Sequence, residues 1–350
     1  MPKRVLTILL MGLLGLAAIG VHVPPASPIL EKERRMVARF PESPSSISSR
    51  KLKKYFKGID QYYADNFPLR GALLDIVSHL GFGDAVNTEK CFQGKDDWLF
   101  LGNSYARCID KLTGRIVLSA AETQRQAARY SAARDAAVRA GVPFVMLVGP
   151  DKATIYPDKL PDIVRPAQHR YAEPLLDALR AGGIAVYDPT DMLREARQQH
   201  LLYFRTDTHW NARGADIAFE GLRQLAGWPE LPRHDFAAIS TAPGDLIDIG
   251  GFASFPLHDD DTFAVQWHAP MATVERNGVV HTPGASSAYT VWVFGDSFTD
   301  ALRPFIEAQF QTVKYFRHKQ YTTVMQQAEG ARPDAILWVI VERNITETWD

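Results

Sequence analysis

Cysteine is almost missing from this 350-residue chain, which has only Cys91 and Cys108. Two cysteines cannot build a disulfide scaffold, so the fold must rest on its hydrophobic core. One local staple between them is permitted, with two free buried thiols as the alternative. Charge excess is missing too: 39 Lys and Arg against 40 Asp and Glu leave a formal net charge of −1. Without a basic surplus, and with no nucleic-acid-binding motif, nucleic acid is set aside as a partner. No internal repeat is found. What the chain does have is a globular composition, 46% hydrophobic and 23% charged, and enough length for one large domain or two modest ones.

The first residues stand apart from the rest. Lys3 and Arg4 precede the unbroken apolar run "VLTILLMGLLGLAAIGVHV", Val5 to Val23. Basic residues followed by such a run mark a signal anchor or a cleavable signal peptide. Its length approaches the ~20 residues that span a bilayer and exceeds the usual signal-peptide core. We therefore read residues 1–23 as an anchor, with cleavage near Ala18-Ile19-Gly20 as the alternative. Either way the body is exported, with Lys3 and Arg4 left on the cytoplasmic side, and an uncleaved anchor would tether it to the membrane. Pro24 to Arg50, rich in Pro, Ser and mixed charge, reads as the tether. Residues 51–350 then form the body.

Within the body, Lys51 to Leu80 reads as an amphipathic helical stretch interrupted at Pro68 in "DNFPLR". "DDWLFLG" (Asp96 to Gly102) reads as a short strand. From Ser119 the pattern is regular. Ser119 with Glu122 makes a capping box, and an Ala/Arg-rich helix follows to Gly141. "VPFVMLVG" (Val142 to Gly149) is a strand buried on both faces. A helix over Tyr171 to Ala181 leads to the strand "GIAVYD", and another over Asp191 to His200 leads to "FRTDTHWNARGAD". Asn211 then caps a helix to about Ala226. Near the end come "YTVWVFGDSF", "DALRPFIEAQF", "TVKYF" and "AILWVIVERN". Strands alternating with helices predict an α/β fold, a mostly parallel sheet flanked by helices. Residues 229–287, rich in Gly, Pro and Asp, read as an irregular, β-containing insertion.

In such sheets sites lie beyond the carboxyl ends of the strands. Ser297 falls there, just after an apolar strand that ends at Gly295. A serine at that turn is either a helix cap or a nucleophile beside amides able to hold an oxyanion. A nucleophilic serine needs a base and an orienting carboxylate. Asp207 and His209 supply that pair at another strand-to-helix junction, where an extended segment would point both to one side. The competing readings are Asp207 as a cap beside an ordinary histidine, or a metal site. The metal reading needs further ligands, for which "HDDD" (His258 to Asp261) is the nearest source, although it reads better as a solvated loop. We expect no metal and no cofactor.

"TDTHWN" followed by "GDSF" resembles the SGNH-hydrolase-like proteins of the periplasmic alginate O-acetyltransferase type, in which the Asp-x-His pair precedes the serine. "DNFPLR", "DDWLFLG", "GPDKATIYPDKLP" (Gly149 to Pro161) and the terminal "VERN" add to the likeness. The resemblance implies Ser297 as nucleophile, His209 as base and Asp207 as its orienter, with Asp296 structural. Lys152 and Arg205, each just beyond a strand, are candidate substrate-contacting residues with a plain surface charge as the alternative, and Trp210 is a third candidate. The resemblance leaves the remaining oxyanion donors unplaced, and no carbohydrate-binding module follows the catalytic part. The implied activity is transfer of acetyl groups to hydroxyls of an exopolysaccharide, alginate-like or cellulose-like. The acetyl donor would be delivered through a multi-pass membrane acyltransferase. An SGNH-type acetylesterase and a non-catalytic polysaccharide-export assembly protein are the alternatives.

Overall fold

A computed structural model describes residues 29–30, 35–36, 39–43, 49–65, 89–252, 255–327 and 332–349. The expected anchor and the helix break at Pro68 lie outside the described residues. The chain divides into two compact units, Met1–Val86 with Gly251–Ser254, and Asn87–Gly250 with Phe255–Asp350. In the first unit, β1 (Ile29–Leu30) and β2 (Arg35–Met36) pair antiparallel. They fall inside the stretch expected to be a structureless tether. Helix α1 (Ser49–Asp65) follows, with Tyr62 meeting Phe40 edge-on at 5.1 Å between ring centres.

The second unit is built on a seven-stranded sheet. Five of its strands are parallel: β5 (Phe144–Gly149), β6 (Ala185–Tyr187), β11 (Ser287–Gly295), β12 (Phe310–Arg317) and β13 (Ala335–Val341). They run in the spatial order β6-β5-β13-β11-β12. The central strands β5 and β13 are buried at every position, as strands covered on both faces must be. Successive side chains alternate between two cores. Val145, Leu147, Val293, Leu337 and Val339 pack with Trp210, Phe219, Phe298 and Phe305. Met146, Val148, Phe294, Ile336 and Trp338 pack with Tyr130, Leu175 and Leu179 on the other face.

The covering helices start and stop where local chemistry dictates. Ser119 accepts a hydrogen bond from the Glu122 amide at the head of the helix Ala120–Arg139, and Gly141 takes a positive φ of 75° just past its end. Asn211 accepts from the amides of Arg213 and Gly214 and opens the helix Ala212–Ala226.

Residues 229–287 are more ordered than expected. β7 (His234–Ala238) pairs antiparallel with β8 (Phe263–Trp267). β9 (Val274–Arg276) and β10 (Val279–His281) form a hairpin over Asn277-Gly278, both with positive φ, as a tight Asn-Gly turn requires. β10 then pairs antiparallel with β12. β9 and β10 therefore form the edge of the main sheet.

The two cysteines are free thiols. Cys91 is fully buried in the short strand β3 (Cys91–Gln93), which pairs with β4 (Leu99–Leu101). Cys108 donates to the Tyr105 carbonyl at 2.9 Å. Burial pushes both thiols up to about 12.

Candidate active site

The carboxyl ends of β5, β13 and β11 lie side by side, with Gly149 opposite Val341 and Val339 opposite Gly295. Past Gly295 the chain turns sharply. A Cβ at Gly295 would meet Thr299 Oγ1 at 2.0 Å, so only glycine fits the start of the turn. Asp296 caps the six-residue 3-10 helix Ser297–Leu302 by accepting from the Phe298 amide at 3.0 Å. Its second oxygen accepts from the Val341 amide at 2.9 Å and Asn344 Nδ2 at 3.4 Å, tying the turn to the end of β13. The amides of Phe298 and Thr299 are both taken by Asp296, so they do not serve as the helix-start oxyanion donors that the turn suggests.

Ser297 is partly exposed at this turn, and the Asp207/His209 segment approaches it across 88 positions of sequence. His209 Nε2 lies 2.7 Å from Ser297 Oγ. Its other nitrogen, Nδ1, lies 2.6 Å from Asp207 Oδ1. The segment is a loop closed by a bridge between Tyr203 and Trp210, not the extended strand expected. Asp207 reaches His209 by an Asx-type closure, Oδ1 also accepting from the His209 amide at 3.0 Å. Burial pushes the Asp207 carboxyl up, but the hydrogen bonds and charge of His209 outweigh it and leave the group at about 2.

A second carboxylate stands behind this row. Asp245 accepts from the amide of Thr208 at 2.8 Å and its hydroxyl at 2.7 Å, and lies 4.0 Å from His209 Nδ1. Its amide donates to Asp207 Oδ2 at 3.0 Å. Next to it Gly244 packs so closely that a Cβ would meet the Thr206 carbonyl at 2.3 Å. Sequence reasoning missed both residues because they sit in the apparent insertion; the only signal was Gly-Asp ahead of an apolar pair. The ligand-type atoms of Asp207, His209 and Asp245 lie within 4.8 Å of one another, as a metal would need. Each already has partners, and His209 has both ring nitrogens engaged. "HDDD" contributes nothing to this group. Its members are tied locally: His258 to Asp97, Asp259 to the Thr241 amide, Asp260 to Arg205, and buried Asp261 to the Arg205 amide.

Of the three candidate substrate contacts, Trp210 and Lys152 are buried and Arg205 is ion-paired. Trp210 is fully buried, its indole Nε1 donating to the Phe298 carbonyl at 3.0 Å. It props the serine turn from beneath. Arg205 is paired with Asp260 through both terminal guanidinium nitrogens, Nη1 and Nη2. Lys152 is 4% exposed and donates to the carbonyls of Phe204, Arg205 and Asp207 at 3.0, 2.9 and 2.7 Å. Burial lowers its ammonium to about 7 even though Asp207, Asp245 and Asp261 pull the other way. Beside the loop lies a cavity of about 170 Å³, bordered by Phe92, Phe100, Leu112, Thr208, Leu246 and Arg343.

Five parallel strands, a serine past the end of one of them and a His/Asp pair from an earlier loop make this an SGNH-hydrolase-like α/β protein. The family described as "SGNH hydrolase-like domain, acetyltransferase AlgX" matches residues 91–331. The chain belongs to that family. It is 28% identical to the probable alginate O-acetylase AlgJ of Pseudomonas syringae pv. tomato over 205 residues, 55% of this chain and 50% of that protein. It is 29% identical to the alginate biosynthesis protein AlgX of Pseudomonas aeruginosa over 170 residues, 46% of this chain and 33% of that one. The chain thus spans half or less of the length of these curated relatives. Among solved structures, the O-acetyltransferase domain of Pseudomonas putida AlgJ aligns with a TM-score of 0.52 at 18% identity, covering 75% of this chain and 94% of that domain. A DHHW family protein from Eubacterium siraeum aligns with a TM-score of 0.53 at 14% identity, covering 75% of this chain and 94% of the other. At these identities the likeness is one of fold.

Proposed function

We propose that this chain is an exported O-acetyltransferase that acetylates hydroxyls of a polysaccharide through a serine acyl-enzyme. The observation that carries the reading is the continuous row Asp207–His209–Ser297, with contacts of 2.6 and 2.7 Å. With the Nδ1 proton directed to Asp207, His209 Nε2 accepts from the Ser297 hydroxyl. Ser297 Oγ attacks the acetyl carbonyl of a donor ester while His209 takes the proton. Collapse of the tetrahedral intermediate breaks the bond to the donor oxygen, which leaves with that proton. In the second half a sugar hydroxyl gives its proton to His209 and attacks acetyl-Ser297. The sugar ester departs and the proton returns to Ser297 Oγ. We assign the helix-start amide of Ser297 as a donor to the developing oxyanion in both halves.

The likeness to alginate O-acetylases supports a polysaccharide acceptor, alginate or a related exopolymer. An acetyl donor routed through a multi-pass membrane acyltransferase and a periplasmic, inner-membrane-tethered location complete the proposal. Among the described residues no helix is long and apolar enough to cross a membrane; the proposed anchor is the apolar run within residues 1–23.

The test is to incubate the full chain with p-nitrophenyl acetate and oligosaccharides of alginate or cellulose. Acetylated sugar in excess of free acetate, lost in Ser297→Ala, is the expected result. Acetate alone would make the chain an esterase. Unchanged turnover in Ser297→Ala would rule out the serine chemistry.

A further inference from the structure

We infer that Lys152 is a positioning residue for the Asp207–His209–Ser297 row, gathering the backbone of the Asp207 loop into the shape that presents Asp207 to His209. This rests on the serine chemistry proposed above. Lys152 opens the short helix Lys152–Ile155, three residues beyond the end of β5, and is therefore fixed to the same sheet that carries Ser297. From there its Nζ collects three carbonyls of one loop, those of Phe204, Arg205 and Asp207. Carbonyl dipoles that converge repel one another unless a donor with several protons sits between them, and an ammonium has three.

Of the three carbonyls, that of Arg205 also accepts from the Leu99 amide at 2.9 Å; the side chains around Lys152 supply no substitute for it. The ammonium stands 5.6 Å from the centre of the Trp98 ring and 5.3 Å from that of Phe100. The other ionisable groups facing it are Asp207, Asp245, Asp261 and the buried Cys91, none of which, as carboxylate or buried thiol, replaces three donated hydrogen bonds. Without Lys152, the carbonyls of Phe204 and Asp207 would lose their donor, while that of Arg205 would keep the Leu99 amide; this favours opening the loop toward water. The bond to the Asp207 carbonyl is the shortest of the three, and Asp207 is the residue whose carboxylate holds His209. Asp245 grips the same loop from the side of the Thr208 amide, so the two clamps hold the carbonyl and the N–H of one peptide unit, that between Asp207 and Thr208. Lys152 touches no reacting atom; it acts through Asp207.

The experiment measures the rate at which phenylmethylsulfonyl fluoride modifies Ser297 in the full chain, read by mass spectrometry of the Ser297 peptide. Wild-type protein left unmodified at Ser297 would sink the serine chemistry itself. If the wild type is modified, Lys152→Met is expected to react about 10- to 100-fold more slowly, the scale of a misplaced catalytic group. An equal rate would overturn the role of Lys152. The second arm compares Asp207→Asn with the double variant Lys152→Met/Asp207→Asn. A positioning role predicts that the double variant is no slower than Asp207→Asn alone. Fully multiplied losses would mean that Lys152 acts on the fold at large and would also overturn the proposal. Lys152→Gln, which keeps an amide donor, is expected to react at a rate between those of wild type and Lys152→Met, and it replaces the methionine variant in both arms if that protein does not fold.

Discussion

Two ionic clusters sit at the carboxyl edge of the same sheet, and they use their charges in opposite ways. In the cluster at the ends of β5 and β13, every charge is matched. Glu342 accepts from the Asp151 amide, the Thr154 hydroxyl and Arg170. Arg170 also pairs with Asp188, and Arg343 with Asp151. The chain of partners closes on itself and leaves no reactive group. At the end of β11, the chain of partners is open. Asp207 holds one nitrogen of His209, and the other nitrogen meets a hydroxyl attached to a partly exposed turn. A closed network locks strand ends together, whereas an open one delivers its polarisation to an atom that can leave it. Position at the sheet edge is shared; reactivity follows from where the hydrogen-bond chain stops.

This contrast predicts that substitutions in the open row cost rate but little stability, and that substitutions in the closed network do the reverse. The largest effect is expected for Ser297→Ala or His209→Ala. Acetyl transfer should fall by about 10⁴- to 10⁶-fold, while urea unfolding changes by less than about 0.5 kcal/mol. A large loss of stability in these variants would make the row structural. Asp207→Asn should cost about 10²- to 10⁴-fold in rate, because the amide no longer holds the Nδ1 proton in place. A smaller loss would mean that Asp245, 4.0 Å from Nδ1, takes over as orienter.

In the closed network, Arg170→Met should destabilise by about 3–5 kcal/mol by leaving Glu342 and Asp188 buried without their cation. The rate per folded molecule should not change. Denaturant titration alongside turnover measures both, and a rate loss without destabilisation would merge the two clusters into one site. The smallest effect concerns Glu342, whose carboxyl burial raises from 4.5 to about 7 against the pull of Arg170. The folded chain then holds that proton more tightly than the unfolded chain. On this account stability falls as pH rises from about 4.5 to 7. Glu342→Gln should flatten that decline, and an unchanged slope between pH 4.5 and 7 would assign it to other groups.

Much of the architecture was legible before any coordinates. The runs at 144–149 and 335–341 carry apolar side chains at successive positions, which is the pattern of a strand covered on both faces. Ser119 and Asn211 announced their helices through local side-chain-to-amide bonds. Ser297 was legible as a candidate because it follows an apolar strand, and the Asp207/His209 pair because an acid and a histidine stand just ahead of a capped helix, although a loop rather than a strand carries them. Other features were hidden. Lys152, Arg205 and Trp210 looked like substrate contacts because a polar or aromatic residue past a strand end has the same sequence signature whether it points into a cleft or under a loop. Asn277-Gly278 did carry a hairpin signal, yet nothing local tells that the hairpin joins the main sheet.

By itself, then, the sequence determined which segments are strands and helices, where they begin, and which residue types stand at the sheet edge. Those properties depend on side-chain periodicity and on capping bonds spanning a few residues, so they are written locally. Tertiary structure alone decided the rest. It placed Gly244 and Asp245 against a loop 38 positions earlier. It kept Cys91 and Cys108 as free thiols, and it turned Lys152 inward onto three carbonyls. Each of these depends on how distant segments pack against one another, and burial can reverse what a charged side chain does without changing a single neighbour in sequence.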